Sequence, residues 1–341
     1  MIDPGTILLG KYEVIRPLGR GQFGAVYLVF NRNLSVHSAL KVVQVIDPDR
    51  HVAVVEAQAT SLCGHDHVVK IRTADRFDGA VLIELEYLDG GSLSDRLKSG
   101  FVPIGDSISY MKHVLFALDF AHSKGIIHRD VKPANIMISG NIAKLSDFGT
   151  AIHPESGARV TDDFYRPHAS PEAQNLDEFS ARSDVFAAGL TLQRAANNMS
   201  DWERLFVDER WRREVADGTL PQKVGYADFL PSRLKTILRL ACNKVPDERY
   251  PSASAFRQEL ERLQVERYWV RQPDFNWISE RGDRTERITY SGKAQQVEYW
   301  VGGRRKQAYC RRFASEREAR RFMDRTVADT TLRRSGSRPR I

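Results

Sequence analysis

Residues 128–135 read His-Arg-Asp-Val-Lys-Pro-Ala-Asn, and Asp147-Phe148-Gly149 follows a short way downstream. Two carboxylates (Asp130 and Asp147), a lysine (Lys132) and an asparagine (Asn135) therefore sit on short loops between apolar, strand-like runs. Groups of these types can hold two magnesium ions against a triphosphate and orient an attacking hydroxyl. Chemistry of that kind is positioning and electrostatics, so the surrounding elements must hold each part in place.

Those elements begin upstream. Lys11 to Val29 alternates apolar and polar residues around Gly19, Gly21 and Gly24. In a dinucleotide-binding unit such glycines would open a helix. Here Ala25 to Phe30 is rich in β-branched and aromatic residues, which predicts strand, turn, strand. Glycines without Cβ let the backbone lie over phosphates, with Phe23 at the tip to shield them from water. Lys41 lies inside the apolar run Ser38 to Val43, where a cation is costly unless it is paired. Val52 to Leu62 reads as a helix carrying Glu56 and stopping at Gly64. Asp106 to Gly125 repeats apolar residues at helical spacing and leads into the His128 loop.

The order of glycine loop, Lys41, Glu56, H-R-D-x-K-x-x-N and D-F-G resembles the eukaryotic-type (Hanks-type) Ser/Thr protein kinases, and within them the bacterial members, over residues 10–264. The resemblance implies an α+β, bilobal fold with a β-rich N-lobe and a helical C-lobe. It implies ATP as phosphoryl donor, Mg2+ as cofactor with Mn2+ as the alternative ion, and protein substrates. It assigns Asp130 to accept the hydroxyl proton, Lys132 to screen the transferred phosphoryl group, and Asn135 and Asp147 to hold metal. Lys41 would pair with the phosphates and with Glu56. Gly19, Gly21 and Gly24 would cover the phosphates. Val26, Ala39 and Met137 would sandwich the adenine, backbone groups of Glu86 and Leu88 would pair with it, and Leu85 would guard the back of the pocket. Lysine two residues after Asp130 is the Ser/Thr rather than the Tyr form. His128 and Asp184 are expected in structural roles, as is an Arg249–Glu172 ion pair. Thr161 and Ser156, in the activation segment 150–172, are the candidate phosphosites, with Arg129 available to a phosphate.

Three positions depart from the family pattern. Tyr165 stands where a threonine usually contacts the catalytic Asp and Lys. Thr60 stands where an apolar residue usually packs behind the D-F-G phenylalanine, and Asp66 replaces a proline. Tyr165 and Thr60 keep open a second reading, a pseudokinase serving as a scaffold. A third, a small-molecule phosphotransferase of kinase-like fold, is opposed by the Pro171-Glu172 motif, Asp184 and Arg249.

Composition bounds the rest. The chain of 341 residues, 42% apolar and 28% charged, can bury a large core and leaves room for a second module. No apolar run long enough for a membrane span occurs, and no secretion signal opens the chain, so a cytoplasmic protein is expected. Cys63, Cys242 and Cys310 are widely spaced, which favours reduced thiols over a metal or redox site. The net charge of +7 is uneven: residues 265–341 hold 19 Lys/Arg against 10 Asp/Glu, about +9, leaving about −2 for residues 1–264. The expected organisation is a lead at 1–10, a kinase-like domain at 11–264 with lobes dividing near 88, a linker at 265–274, a basic β-β-β-α module at 275–330 and a disordered tail at 331–341. Ser315-Glu316-Arg317-Glu318 is a capping box that should open the module's helix. The module faintly resembles the arm domains of phage-type integrases. Its arginines and aromatic residues suit a protein-docking face, a nucleic-acid surface or a plain solvated sheet.

Overall fold

A computed structural model of the chain describes residues 2–21, 24–44, 62, 64–148 and 165–333. The first lobe is a six-stranded antiparallel sheet of order β1-β2-β3-β4-β6-β5. Its strands are β1 (Ile7–Leu8), β2 (Tyr12–Gly21), β3 (Gly24–Asn31), β4 (Val36–Gln44), β5 (Ile71–Phe77) and β6 (Ala80–Glu86). Period-2 alternation divides its faces. Tyr12, Val14, Tyr27, Val29, Leu40 and Leu82 pack into a core on one side. The other side carries two cross-strand rows: Val26, Lys41 and Ile83, then Leu28, Ala39 and Leu85. Residues directly opposite one another share a face, so the register alone sets Lys41 among apolar neighbours on the side away from the Leu40 core.

The second lobe is helical: α1 (Leu93–Ser99), α2 (Ile104–Ser123), α3 (Pro171–Leu176), α4 (Ala181–Ala196), α5 (Arg210–Ala216), α6 (Leu220–Val224), α7 (Ser232–Ala241) and α8 (Ala253–Glu261). The hairpin β7 (Ile136–Ser139) and β8 (Ile142–Leu145) lies against them. Helix α2 buries Val114, Leu115, Leu118 and Ala121, the apolar spacing seen in the sequence. Helix α4 is buried from Ser183 to Ala196. Ser180 opens it with a capping box, which satisfies the first free N–H groups of the helix just before its buried run begins.

The C-terminal module is larger than its sequence suggests. Instead of three strands it has six: β9 (Trp269–Arg271), β10 (Trp277–Arg281), β11 (Arg284–Ser291), β12 (Gln296–Val301), β13 (Arg304–Arg305) and β14 (Arg311–Arg312), followed by helix α9 (Glu316–Thr331). The sheet order is β13-β12-β11-β10-β9, with β14 also on β12. Residues 265–274 are therefore not a free linker, because they contain β9 and its buried Trp269. Nor does order end at 331: Leu332 bridges to Val265, and Arg333 donates to the Gln264 carbonyl. Residues 334–341 lie outside the described residues. Ser315 Oγ accepts from Glu318 N–H, the serine half of the capping box.

The module is docked on the helical lobe. Trp277 is fully buried between Phe101 and Phe229, its ring 5.2 Å from each. A Cβ at Gly105, at the start of α2, would lie 2.4 Å from the Tyr268 ring, so only glycine permits this contact. The tail sheet and the helical lobe thus share one apolar core. Among the described residues no helix is long and apolar enough to cross a membrane.

Candidate active site

The loop between α2 and β7 carries the H-R-D stretch, held from below. Asp184, in the first turn of α4 and 1% exposed, accepts the backbone N–H groups of His128 at 2.8 Å and Arg129 at 2.9 Å. His122 Nε2 lies 2.8 Å from the same carboxylate. Burial alone would raise the Asp184 carboxyl, but His122 and these donors bring it below its ordinary value. His128 joins two more pieces: its Nε2 donates to the Ser146 carbonyl at 3.0 Å, and its Nδ1 accepts the Asp130 N–H at 3.2 Å. With one nitrogen donating and the other accepting, His128 acts as a tie between the two loops. Arg129 is held at φ +68° and Asp147 at φ +64°, left-handed conformations that cost free energy for residues with a Cβ.

Within that frame Asp130 is 4% exposed. Its Oδ2 accepts from Lys132 Nζ at 2.7 Å and Asn135 Nδ2 at 2.9 Å. Its Oδ1 is buried and accepts from nothing among the described residues. The second amide hydrogen of Asn135 is taken by the Asp130 carbonyl at 2.8 Å. Across the cleft, Lys41 Nζ of β4 meets Asp147 Oδ1 at 2.7 Å, joining the sheet to the D-F-G loop. Burial would raise the Asp147 carboxyl, but the Lys41 ammonium, with Lys132 adding less, holds it below the ordinary range. Phe148 is buried with its ring edge-on to His128 at 4.6 Å.

The donor set fits a hard divalent cation bound jointly with phosphates. Asn135 Oδ1 and Asp147 Oδ2 accept from no donor among the described residues, so two oxygens remain for a cation. No group of three or more His, Cys, Asp or Glu that could hold a metal occurs among the described residues. An ion at this site would therefore draw its other ligands from a triphosphate and water, as Mg2+ does.

The residues expected to hold a nucleotide lie on or beside β2, β3, β4, β6 and β7. Val26 and Ala39 stand in adjacent rows of the β3–β4 register. Met137 of β7 is half-buried between the core residues Ile136 and Ile138. Leu88 N–H donates to nothing among the described residues. The Glu86 side chain is occupied by Lys144 at 2.8 Å and by Lys70 N–H at 2.8 Å, and its own N–H donates to the Lys70 carbonyl at 2.9 Å, so a ligand could meet only its carbonyl. At the hairpin turn Gly24 has φ +146°, and a Cβ there would lie 1.9 Å from the Val42 carbonyl oxygen, so no other residue fits. Gly19 and Gly21 lie opposite Val26 and Gly24 on β2. Glu56, Thr60, Gly149, Ser156 and Thr161 fall outside the described residues.

Two sequence-marked departures and pairings are placed. Lys132 Nζ lies 4.8 Å from the centre of the Tyr165 ring, so an aromatic face contacts the lysine that pairs with Asp130. Arg249 forms a two-pronged pair with Glu172 at 2.6 and 2.8 Å, and its guanidinium also donates to the carbonyls of Arg182 and Lys244 at 3.1 Å. Arg194 and His122 were not singled out by the sequence. The arginine carries the signal that flagged Lys41, a cation within an apolar run.

A sheet lysine paired with a loop aspartate, beside a buried carboxylate anchored from a central helix, is the architecture of a protein kinase. The protein kinase domain family matches residues 12–260, and the chain belongs to that family. Members use ATP and a divalent metal. The chain is similar to serine/threonine-protein kinase PknJ of Mycobacterium tuberculosis, 32% identical over 205 residues, which is 57% of this chain and 35% of that protein. It is similar to CBL-interacting serine/threonine-protein kinase 21 of Arabidopsis thaliana, 32% identical over 196 residues, 55% of this chain and 47% of that protein. A probable serine/threonine-protein kinase of Clostridium acetobutylicum is 28% identical over 265 residues, 75% of this chain and 40% of that protein. The matched segment thus spans less than half the length of each of these curated relatives.

Proposed function

We propose that the chain is a Ser/Thr protein kinase that transfers the γ-phosphate of ATP to protein hydroxyls and to itself, with Mg2+ as its metal. The observation that carries this reading is the buried Oδ1 of Asp130, unanswered among the described residues, with Lys132 Nζ 2.7 Å from its other oxygen. Leaving such an oxygen unpaired costs about 1–3 kcal/mol, a cost that a substrate hydroxyl donating to it would relieve. In this reading Asp130 orients that hydroxyl and takes its proton, while Lys132 screens the phosphoryl oxygens. Lys41 leaves Asp147 in part to hold the nucleotide phosphates, with Glu56 as its partner from the helix. Asn135 and Asp147 hold the metal, which when bound neutralises phosphate charge. Val26, Ala39 and Met137 enclose the adenine, with the backbones of Glu86 and Leu88 pairing with it, and Gly19, Gly21 and Gly24 lie over the phosphates.

The C-terminal module serves docking or regulation in this reading. Several of its arginines are answered internally, Arg305 by Glu298 at 3.3 Å and Arg284 by Glu286 at 2.8 Å, which weakens the case for nucleic acid. The test is mass spectrometry of the full chain after incubation with ATP and Mg2+. Phosphoserine or phosphothreonine on the protein or on a generic substrate is expected, and Lys41→Met should abolish it. Nucleotide binding without any transfer would favour the scaffold reading instead.

A further inference from the structure

Helix α4 is buried along most of its length, and Arg194 in its last turn is 4% exposed. Its guanidinium carbon lies 5.1 Å from the centre of the Trp202 ring, and its Nε makes one long contact, 3.5 Å, with the Met199 carbonyl. No carboxylate oxygen among the described residues comes within ion-pair distance of it. Glu203, exposed on the next turn, is near enough to favour the cation without pairing with it. The contrast with Arg249 is direct: that buried guanidinium meets Glu172 through two nitrogens. The terminal nitrogens of Arg194 have no hydrogen-bond partner among the described residues and are not sealed from solvent. Burial pulls its pKa down, as expected for a cation with too little to answer it.

Its location gives this a use. Arg194 is within electrostatic reach of Tyr165, whose ring faces Lys132 at 4.8 Å, and Lys132 pairs with Asp130 at 2.7 Å. His168 lies between, influenced by both Arg194 and Lys132 and bonded through Nδ1 to Thr191 Oγ1 at 3.1 Å. A line of contacts thus runs from the Asp130 carboxylate through Lys132 and the rings of Tyr165, His168 and Trp202, spaced 5.5 and 5.2 Å apart, to the Arg194 guanidinium. We infer that Arg194 receives an anionic side chain of the protein substrate, a carboxylate or a phosphorylated residue, next to the hydroxyl being modified. The enzyme therefore selects acidic sequences. This rests on the kinase reading above. The guanidinium fork matches carboxylate and phosphate geometry, and its desolvation has already been met in folding, so an arriving anion gains more than at an exposed arginine.

The test compares serine peptides that differ only in the flanking residues, supplying glutamate, phosphoserine, alanine or lysine to the full chain with ATP and Mg2+. Glutamate or phosphoserine peptides should exceed the alanine peptide at least tenfold in kcat/KM, and lysine peptides should fall below it. Preference for both anions identifies general acidic recognition, and preference for phosphoserine alone identifies recognition of a prior phosphorylation. Arg194→Gln should bring the ratio towards one with KM for ATP unchanged, and Arg194→Glu should turn it towards lysine. The wild-type series needs no variant, so it decides the matter even if Arg194→Gln fails to fold. Equal rates on acidic, neutral and basic peptides would overturn the assignment and leave the kinase reading standing. Transfer to the protein itself but to none of the peptides also counts against it. Absence of any transfer overturns both.

Discussion

Asp130 in the H-R-D loop and Glu286 in the C-terminal sheet are equally buried, at 4% exposure each, yet their surroundings differ in one respect. Glu286 is saturated: the Tyr299 hydroxyl, Arg267 Nε at 2.9 Å and Arg284 Nε at 2.8 Å all donate to it. Glu84 in the first sheet is closed in the same way, by Asn31 at 2.9 and 3.0 Å, Ser38 at 2.6 Å and Tyr12 at 3.1 Å. Asp130 has two donors on one oxygen and, among the described residues, none on the other. A closed network returns its desolvation cost as rigidity, whereas an open one forgoes that return unless a ligand completes it. Part of the module's basic excess is neutralised internally, since Arg267, Arg284 and Arg305 pair with Glu286 and Glu298 inside the sheet.

The sharpest way to break this contrast is to remove each carboxylate in turn. Glu286→Ala removes the acceptor of Arg267 Nε and of the Tyr299 hydroxyl inside the sheet and should cost on the order of 3 kcal/mol of stability, read by denaturant unfolding, with phosphotransfer per folded molecule unchanged. Asp130→Asn should leave stability within about 1 kcal/mol and lower phosphotransfer on the order of a hundredfold to ten-thousandfold. If Glu286→Ala proved innocuous to folding, or Asp130→Asn kept its activity, the distinction between closed and open sites would fail.

What the sequence could show follows the same division. A residue whose role only one side chain can perform leaves a motif, so Asp130, Lys132, Asn135, Asp147 and Lys41 are legible in the order of residues alone. Period-2 alternation suffices to put Ala39 and Lys41 on one side of their strand, while Val26 joins them only through the register with the strand before. Packing leaves no such mark. Trp277 reads as a buried strand residue, but nothing in the chain says that Phe101 and Phe229, far away in sequence, receive it. The stretch 265–274 looks like a linker because Pro273 and Asp274 interrupt it, although Trp269 is 2% exposed within it. Orphaned atoms are equally invisible in a sequence, since it takes the fold to leave Asp130 Oδ1 and the Arg194 terminal nitrogens unanswered among the described residues.

A second, smaller test uses pH on a site that is closed only while neutral. The Ala143 carbonyl accepts from His67 Nδ1 at 3.1 Å, and its N–H donates to His113 Nδ1 at 3.2 Å, with the two rings stacked 4.2 Å apart. Protonating His113 would set one N–H against another. Burial first, then His67 and Lys112, lower its pKa to about 4, while His65 and Asp66 lie on the facing loop. Between about 6.5 and about 4 the unfolded chain binds the proton and the folded chain does not. Stability must therefore fall as pH falls through that window and level off below it. Asp184 and Glu172 have lowered pKa values and so lose their contribution only below the ordinary carboxylate range. His113→Asn retains an acceptor for the Ala143 N–H and should remove ~2 kcal/mol of the loss seen by unfolding between about pH 7.5 and about pH 4.5. Identical acid limbs in wild type and variant would show that the stack does not respond to protons.

The smallest effect sharpens the comparison at the open site itself. Lys132 touches both Asp130 and the face of Tyr165, so the ring limits where the lysine can go when the hydroxyl arrives. A cation over a partly desolvated ring is worth on the order of 0.5–2 kcal/mol, enough for about tenfold in rate if the contact persists as charge moves. Tyr165→Phe keeps the aromatic face and should hold kcat within about twofold of wild type. Tyr165→Ala frees Lys132 and should lower kcat about tenfold while KM for ATP stays constant, because the proposed nucleotide contacts lie on β3, β4, β6 and β7, away from this ring. Tyr165→Thr tests the alternative directly. If a hydroxyl in this position can reach Asp130 and Lys132, as the family pattern implies, threonine should recover much of what alanine loses. If instead phenylalanine, alanine and threonine are indistinguishable, the ring merely fills space beneath the loop, and Lys132 is positioned by Asp130 alone.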